Sequence, residues 1–313
     1  MPASFMSPDK IKKVYGEISD FLQPAEEQVP HHSLASGTFT DDTQESLIIA
    51  EVLIEAGGYD ETLFLQKMKE WAIQTDILHS TVIGPSTRAF LNAILNNGDV
   101  AAAGRTGDTN GGAMRAAPVG IFYAGDFDNA VRCAIQFTRL SHGSRPGVAS
   151  ACAVAAAIAD CVGGQTDAGA IMNTAIRAAY LGEQSGFDIP APSVAERIAL
   201  AKRLVDENRN KPLQDQAEML YRVIGAGMKS YESIPLSLGI FYAAGGDFEK
   251  GVLTTINIGD DADTNGSIAG GLCGALSGAG AVRASWREKI ESQNAIDFQK
   301  IAKDLLTAAG KVF

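Results

Sequence analysis

Two short acidic runs carry side chains able to hold a hard cation: Gly37-Thr38-Phe39-Thr40-Asp41-Asp42-Thr43 and Gly259-Asp260-Asp261-Ala262-Asp263-Thr264-Asn265-Gly266. Carboxylates flanked by hydroxyls are oxygen donors of the kind Mg²⁺ and Mn²⁺ take, in contrast to the His and Cys of zinc sites. A plainer reading stands beside this one, because an Asp or Thr ahead of a helix accepts hydrogen bonds from the free N–H groups of its first turn. Capping accounts for one acid per helix. It does not account for Asp41 beside Asp42, or for Asp260, Asp261 and Asp263 together, since converging like charges repel and call for a counter-cation.

A second constellation runs Gly104-Arg105-Thr106-Gly107-Asp108-Thr109-Asn110-Gly111-Gly112-Ala113-Met114-Arg115-Ala116-Ala117-Pro118. Its glycines allow close backbone approach to a ligand and can present N–H groups to phosphate, while Asp108 and Asn110 suit sugar hydroxyls. An Asn-Gly-Gly turn before a helix would have the same composition, and spacing alone does not separate the two. His142 stands in a polar loop, where a substrate contact competes with a purely structural hydrogen bond. His31, His32 and His79 attract no role, and the fingerprints of Ser/His/Asp, Rossmann and P-loop chemistry are missing.

The elements that must position these residues read as helices. Residues 44–56 carry apolar positions at helical spacing, follow Asp41, Asp42 and Thr43, and stop at Gly57-Gly58. Similar patterns predict helices over 61–74, 86–96, 129–140, 148–162, 167–181, 193–208, 214–226, 248–256, 267–275 and 297–309, with almost no strand signal. Gly-rich loops at 104–112, 141–147, 182–192 and 259–266 join them, and no segment reads as a domain hinge, so one domain over 1–313 is expected.

One internal echo stands out. Pro118-x-Gly120-Ile121-Phe122-Tyr123-Ala124-Gly125-Asp126-Phe127 recurs as Pro235-x-x-x-Gly239-Ile240-Phe241-Tyr242-Ala243-Ala244-Gly245-Gly246-Asp247-Phe248. Each copy leads through a second helix to a polar loop, 141–145 in the first and 259–264 in the second. A pseudo-repeat could deliver the two loops to comparable places, whereas two hairpins serving only packing would look the same in sequence.

Composition narrows the function. The chain has 313 residues, 46% hydrophobic and 20% charged, which is ordinary for a globular protein. Its formal net charge of −11 and the lack of a Lys/Arg cluster longer than Lys12-Lys13 exclude the basic stripe of a nucleic-acid binder. The four cysteines sit among Ala, Val and Gly without a C-x-x-C pair, so buried free thiols and a cytoplasmic location are expected. The start of the chain resembles no signal peptide, and the most apolar run, 147–158, is too short and Ala-rich for a membrane span.

Taken together and in order, Thr40-Asp41-Asp42-Thr43, then Asn110-Gly111-x-x-Met114-Arg115 with Pro118 and Gly120, then Asp261-x-Asp263-Thr264 before a Gly/Ala-rich helix, the motifs resemble the ADP-ribosylglycohydrolase family, including the enzymes that reactivate dinitrogenase reductase. The resemblance implies an all-α, compact orthogonal multi-helix bundle holding two Mg²⁺ or Mn²⁺ ions. It implies Thr40, Asp41, Asp42, Asp261, Asp263 and Thr264 as ligands and Asp42 and Asp261 as the catalytic pair. Asn110, Gly111, Gly112 and Met114 with Asp108 and His142 would face an ADP-ribosyl or ribosyl substrate, and the implied reaction is hydrolysis at the anomeric ribose carbon. Such a cleavage develops oxocarbenium character, so a positioned water and a steadied ribose are the expected devices.

The chain departs from the family pattern in three places. The usual opening helix with Gly-Asp-Ala-x-Gly, then Pro and Glu, has no counterpart in Met1-Pro2-Ala3-Ser4-Phe5, and Ser4 falls where the Glu would stand. Val82 replaces an acid that relatives use for arginine-linked substrates, and Asp260 stands where Gly is common. The alternatives are therefore a hydrolase of smaller ribosides or a non-catalytic binding or structural homologue. Neither the acceptor nor the oligomeric state is encoded in these motifs.

Overall fold

The computed structural model describes residues 2–28 and 31–311. Among these, the chain is helical throughout, with no strand and only two isolated bridges, Thr109 with Lys229 and Ser144 with Phe187. The expected all-α architecture is what the chain adopts.

The centre is the helix Arg145–Val162. Ser144 caps it by accepting from the Gly147 N–H at 3.3 Å, Pro146 sits in its first turn, and it is buried from Pro146 to Ala159. By length and apolar composition it could cross a membrane, longer than the 147–158 run suggested, yet 83% of it lies inside the fold. Its alanines let neighbours approach closely: a Cβ on Gly182 would stand 2.6 Å from Ala149 Cα, so the helix Ala168–Ser185 packs almost backbone to backbone against it. The Ala- and Gly-rich composition is thus a close-packing device.

The internal echo is structural. Ala117–Phe122, Phe127–Thr138 and Arg145–Val162 form one succession, and Ser230–Ala243, Phe248–Ile258 and Ala262–Ser277 form the other. Each third helix packs against the two before it. Pro235 lies inside Ser230–Ala243, where its missing N–H leaves the Tyr231 carbonyl without its helical donor. Arg197 Nη1 donates to that carbonyl at 2.9 Å, so the helix continues through the proline.

Several helices lay outside the periodicity reading. Pro8–Tyr15 begins with Ser7 accepting from Lys10 N and proline in the first turn, but it is only 8 residues long. Ala284–Asn294 buries only Trp286, so it has no apolar stripe to detect. Val100–Gly104, Gly111–Met114 and Ala117–Phe122 are too short for periodicity to show. A small satellite core of Ala3, Met6, Ile11 and Ile18 closes on Ala262, which brings the start of the chain against the second acidic run.

Candidate functional site

The two acidic runs open two helices, Asp41–Ala56 and Ala262–Ser277, and neither run caps its helix in the ordinary way. The residues at the N-cap positions, Thr40 and Asp261, make no capping hydrogen bond with their side chains. Elsewhere Asp60, Asp99, Asp126, Asp167, Asp247 and Asp297 each accept from the first turn of the helix they precede. Capping is therefore performed by other aspartates, while the side chains of the two runs turn toward one another.

Thr40 Oγ1 donates to Asp42 Oδ2 at 2.8 Å, and Thr264 on the opposite helix, like Thr40, favours the charged form of Asp42. Asn110 Nδ2 donates to Asp261 Oδ2 at 2.6 Å and also bonds Ser233 Oγ, which in turn donates to Asn265 Oδ1 at 2.6 Å. Asp41, Asp42 and Asp261 are all at most 6% exposed. Burial, then the neighbouring Asp42 charge, pushes Asp41 well above the carboxylate range; burial and Asp263 do the same to Asp261. Asp42 is pushed up to about 7 by burial, with Asp263 adding to it. These neighbours place residues 41–42 and 261–263, distant in sequence, at one place.

Asp263 is the exception. Burial works against its charge, but its surroundings, among them the His31 ring and the Ser4 hydroxyl, hold it below the usual range. His31 Nε2 lies 3.7 Å from Asp263 Oδ2, and Ser4 Oγ donates to Asp263 Oδ1 at 2.8 Å. His31 carries no sequence signal for this position; only its placement beside residue 263 in the fold creates it. Ser4, which falls where the family Glu would stand, touches this acidic cluster as a hydroxyl donor.

The chain beyond Ser4 seals the same region. Phe5 N donates to Asp260 O and Asp260 N donates to Met6 O at 2.8 Å, with Asp260 at φ 54°, a left-handed conformation that Asp tolerates. A Cβ on Gly259 would lie 2.1 Å from Met6 O, so only glycine fits there. Asp260 thus serves through its backbone.

Asp41, Asn110, Gly111, Met114, His142, Asp261, Asp263 and Thr264 line one pocket, joined by Phe5, Val82 and Thr109. The two polar loops of the pseudo-repeat meet here, one supplying His142 and the other Asp261 and Asp263. Thr40 and Asp42 stand just behind this lining. Gly111 is required by close approach, since a Cβ would fall 2.7 Å from His142 Nε2. Gly112 instead faces Thr138, 2.7 Å from where its Cβ would be, so it packs against a helix rather than facing the pocket. Asp108 corrects the sequence expectation: both its oxygens accept from Lys229 Nζ at 2.7 Å, outside the pocket lining.

Beneath His142 lies a network that sequence reading passed over. Arg115 and Glu45 form an ion pair that is wholly buried, the guanidinium resting 5.5 Å from the Phe64 ring and 5.6 Å from the Phe137 ring. Arg115 also donates to Ser141 Oγ, which lies 2.8 Å from His142 Nδ1. Burial and the Arg115 charge hold the His142 ring well below the ordinary imidazole range, so it is neutral. The four cysteines are free and buried, as expected.

The donor set can be tested for a divalent cation. Among the described residues, no three His, Cys, Asp or Glu side chains stand at the spacing of a closed metal cage. The chemistry of the set nevertheless suits one: its atoms are all oxygens, three buried carboxyls carry no basic partner, and Asp42 Oδ1 is buried without a hydrogen bond.

Comparison with known proteins agrees with the motifs. The family description ADP-ribosylglycohydrolase matches residues 1–312. The chain is similar to the uncharacterized protein YegU of Escherichia coli, at 31% identity over 97% of this chain and 91% of that one. It is similar to human ADP-ribosylhydrolase ARH3 at 23% identity, covering 83% and 76%. It is also similar to the ADP-ribosyl-[dinitrogen reductase] glycohydrolase of Rhodospirillum rubrum at 22%, covering 88% and 82%. With a match running the length of the chain, this protein belongs to the ADP-ribosylglycohydrolase family and is a glycoside-cleaving hydrolase.

Proposed function

We propose that the chain is a Mg²⁺- or Mn²⁺-dependent hydrolase that cleaves the bond at the anomeric carbon of an ADP-ribosyl group on a protein or small adduct. The observation that carries this reading is the convergence of two distant acidic runs with Asn110 on one pocket, with Asp42 Oδ1 buried and unpartnered. Thr40, Asp41, Asp42, Asp261, Asp263 and Thr264 would hold two cations. When bound, such ions supply Lewis-acid polarisation and a water of lowered pKa.

The chain's own residues supply the remainder. Asn110 fixes the Asp261 carboxylate by donating to Oδ2, leaving Oδ1 to orient a water. Thr40 donates to Asp42 Oδ2 and so aims its free oxygen. Gly111 and His142 form the opposite wall, where a ribose can be steadied by hydrogen bonds.

A second reading, a hydrolase of smaller ribosides, is favoured by Val82 in the pocket wall and by Ser4 donating to Asp263. A Val in place of an acid gives no anchor for a guanidinium acceptor. The pocket has about 40 Å³ of free volume, and Phe5, which is 48% exposed, is among the residues that line it.

Incubation with Mg²⁺ and ADP-ribosyl-serine, ADP-ribosyl-arginine and a panel of N- and O-ribosides separates the readings. Release of ADP-ribose supports the first and free ribose alone supports the second; no product from any of them, with cation bound, refutes both. A cytoplasmic location goes with this proposal, on the strength of the four free thiols.

A further inference from the structure

The buried charges under His142 do more than fill space. Arg115 is fully buried, pairs with Glu45, and donates its remaining Nη2 to Ser141 Oγ. A guanidinium only donates, so Ser141 Oγ is the acceptor in that bond and its own hydrogen is free for another partner. The other hydrogen-bond partner of Ser141 Oγ is His142 Nδ1, at 2.8 Å. The hydroxyl oxygen has room to accept from both, but the hydrogen of the buried Ser141 would then have no acceptor among the described residues, so Ser141 donates to Nδ1 and Nδ1 is the unprotonated nitrogen of the ring.

The proton of the neutral imidazole then lies on Nε2. That nitrogen is 3.2 Å from Thr109 Oγ1, and the Thr109 hydroxyl donates onward to Ser86 Oγ at 3.0 Å, which leaves its oxygen able to accept. Every donor in the series points the same way, from Arg115 through Ser141, His142 and Thr109 to Ser86. The far end is the pocket: Thr109, His142 and Gly111 line it, and the Gly111 backbone leaves Nε2 uncovered by any Cβ. The 3.2 Å bond to Thr109 is the longest in the series and the easiest to exchange.

We propose that Arg115, acting through Ser141, fixes His142 as the Nε2–H tautomer, so that His142 meets a ribosyl oxygen as a hydrogen-bond donor and never as a general base. Arg115, Glu45 and Ser141 are positioning residues. The lone pair a base would need is already engaged by Ser141, and burial, with the cation beneath, keeps the ring from taking a second proton. A neutral donor suits an oxygen of the sugar because it orients it without adding charge beside the cation site.

The part concerning the substrate rests on the proposed function; the tautomer does not. The chain has four histidines, so a long-range ¹H–¹⁵N correlation spectrum of the ¹⁵N-labelled full chain contains four ring systems, and His142→Gln identifies the one that disappears. The expected result is a protonated Nε2 and an unprotonated Nδ1 for His142, turning into a mixture of tautomers in Ser141→Ala. A wild-type spectrum with the proton on Nδ1, or on both nitrogens, overturns the inference. So does an Ser141→Ala spectrum identical to wild type.

The second arm uses whichever ribosyl substrate the enzyme cleaves. His142→Gln keeps an N–H near the Nε2 position and His142→Asn does not, so KM is expected to rise about tenfold more in the Asn variant, the loss of roughly one hydrogen bond. Equal KM values in the two variants contradict the donor role. Should no ribosyl substrate be cleaved, the functional reading fails while the tautomer result stands or falls alone.

Discussion

Two walls of one pocket treat buried charge in opposite ways. On one side Arg115 is answered by Glu45 and two aromatic faces, and its hydrogen bonds run on through Ser141 to His142. On the other side Asp41, Asp42 and Asp261 crowd together with hydroxyl and amide donors, and the basic ring described there, His31, stands against Asp263 instead. The first wall pairs its opposite charges, although Glu45 Oε1 and Arg115 Nε are buried without a hydrogen bond, and the second carries repulsion that a pair of cations would relieve. The difference separates what the fold needs for itself from what it holds in readiness for a ligand.

The comparison can be broken most severely at its satisfied side. Arg115→Ala strands Glu45 in the core and is expected to cost about 3–5 kcal/mol of unfolding free energy, measured by chemical denaturation. Adding Glu45→Gln to that variant should return part of the loss. If Arg115→Ala is as stable as wild type, the pair does not hold this wall together.

On the acidic wall Asp261→Ala should remove cation binding and lower hydrolysis at least ~100-fold, beyond what losing an outer partner of a ligand usually costs, while the circular dichroism stays helical. Retention of two bound ions by calorimetry would show that Asp261 is not a ligand.

The same wall sets a pH dependence in chelator-treated protein. Asp42 binds its proton more tightly folded, up to about 7, than at its ordinary value of 3.8. The resulting stabilisation is complete below the ordinary value and is lost as pH rises through about 7. Thermal unfolding should therefore show stability falling between pH 4 and 7, by on the order of 4 kcal/mol, with a shallower fall in Asp42→Asn. A rise across that window contradicts the repulsion argument.

Gly182→Ala tests the scaffold beneath both walls. The added methyl meets Ala149 Cα at 2.6 Å and should cost about 1–3 kcal/mol without changing KM. Asp108→Asn is the mildest: because Asp108 binds Lys229, which is 43% exposed, KM should be unchanged and stability altered by less than ~1 kcal/mol. A large rise in KM would return Asp108 to the sugar-binding role its sequence suggests.

How much of this was legible in the sequence follows from what each feature depends on. The long helices were visible because apolar spacing repeats over several turns, and the acidic runs because clustered Asp is rare without a reason. Pro8–Tyr15 and Ala284–Asn294 were not, the one too short and the other too polar to leave a stripe. The Asp108–Lys229 pair was not legible because Lys229 lies 121 positions away, and spacing along the chain says nothing about such a partner. His31 and the Glu45–Arg115 pair were passed over for the same reason: each gains its meaning only when distant segments close. The pseudo-repeat was legible as a pattern, and its consequence, two loops meeting at one pocket, needed the fold.

On the proposed function, residues 41–42 and 261–263 would share a pair of divalent cations. Titrating Mn²⁺ into the metal-free full chain and following the free-ion signal by electron paramagnetic resonance tests it directly. The account expects two ions taken up per chain by the wild type and uptake lost in Asp261→Ala. A free-ion signal that rises in step with added Mn²⁺ from the first addition to the wild type would contradict it.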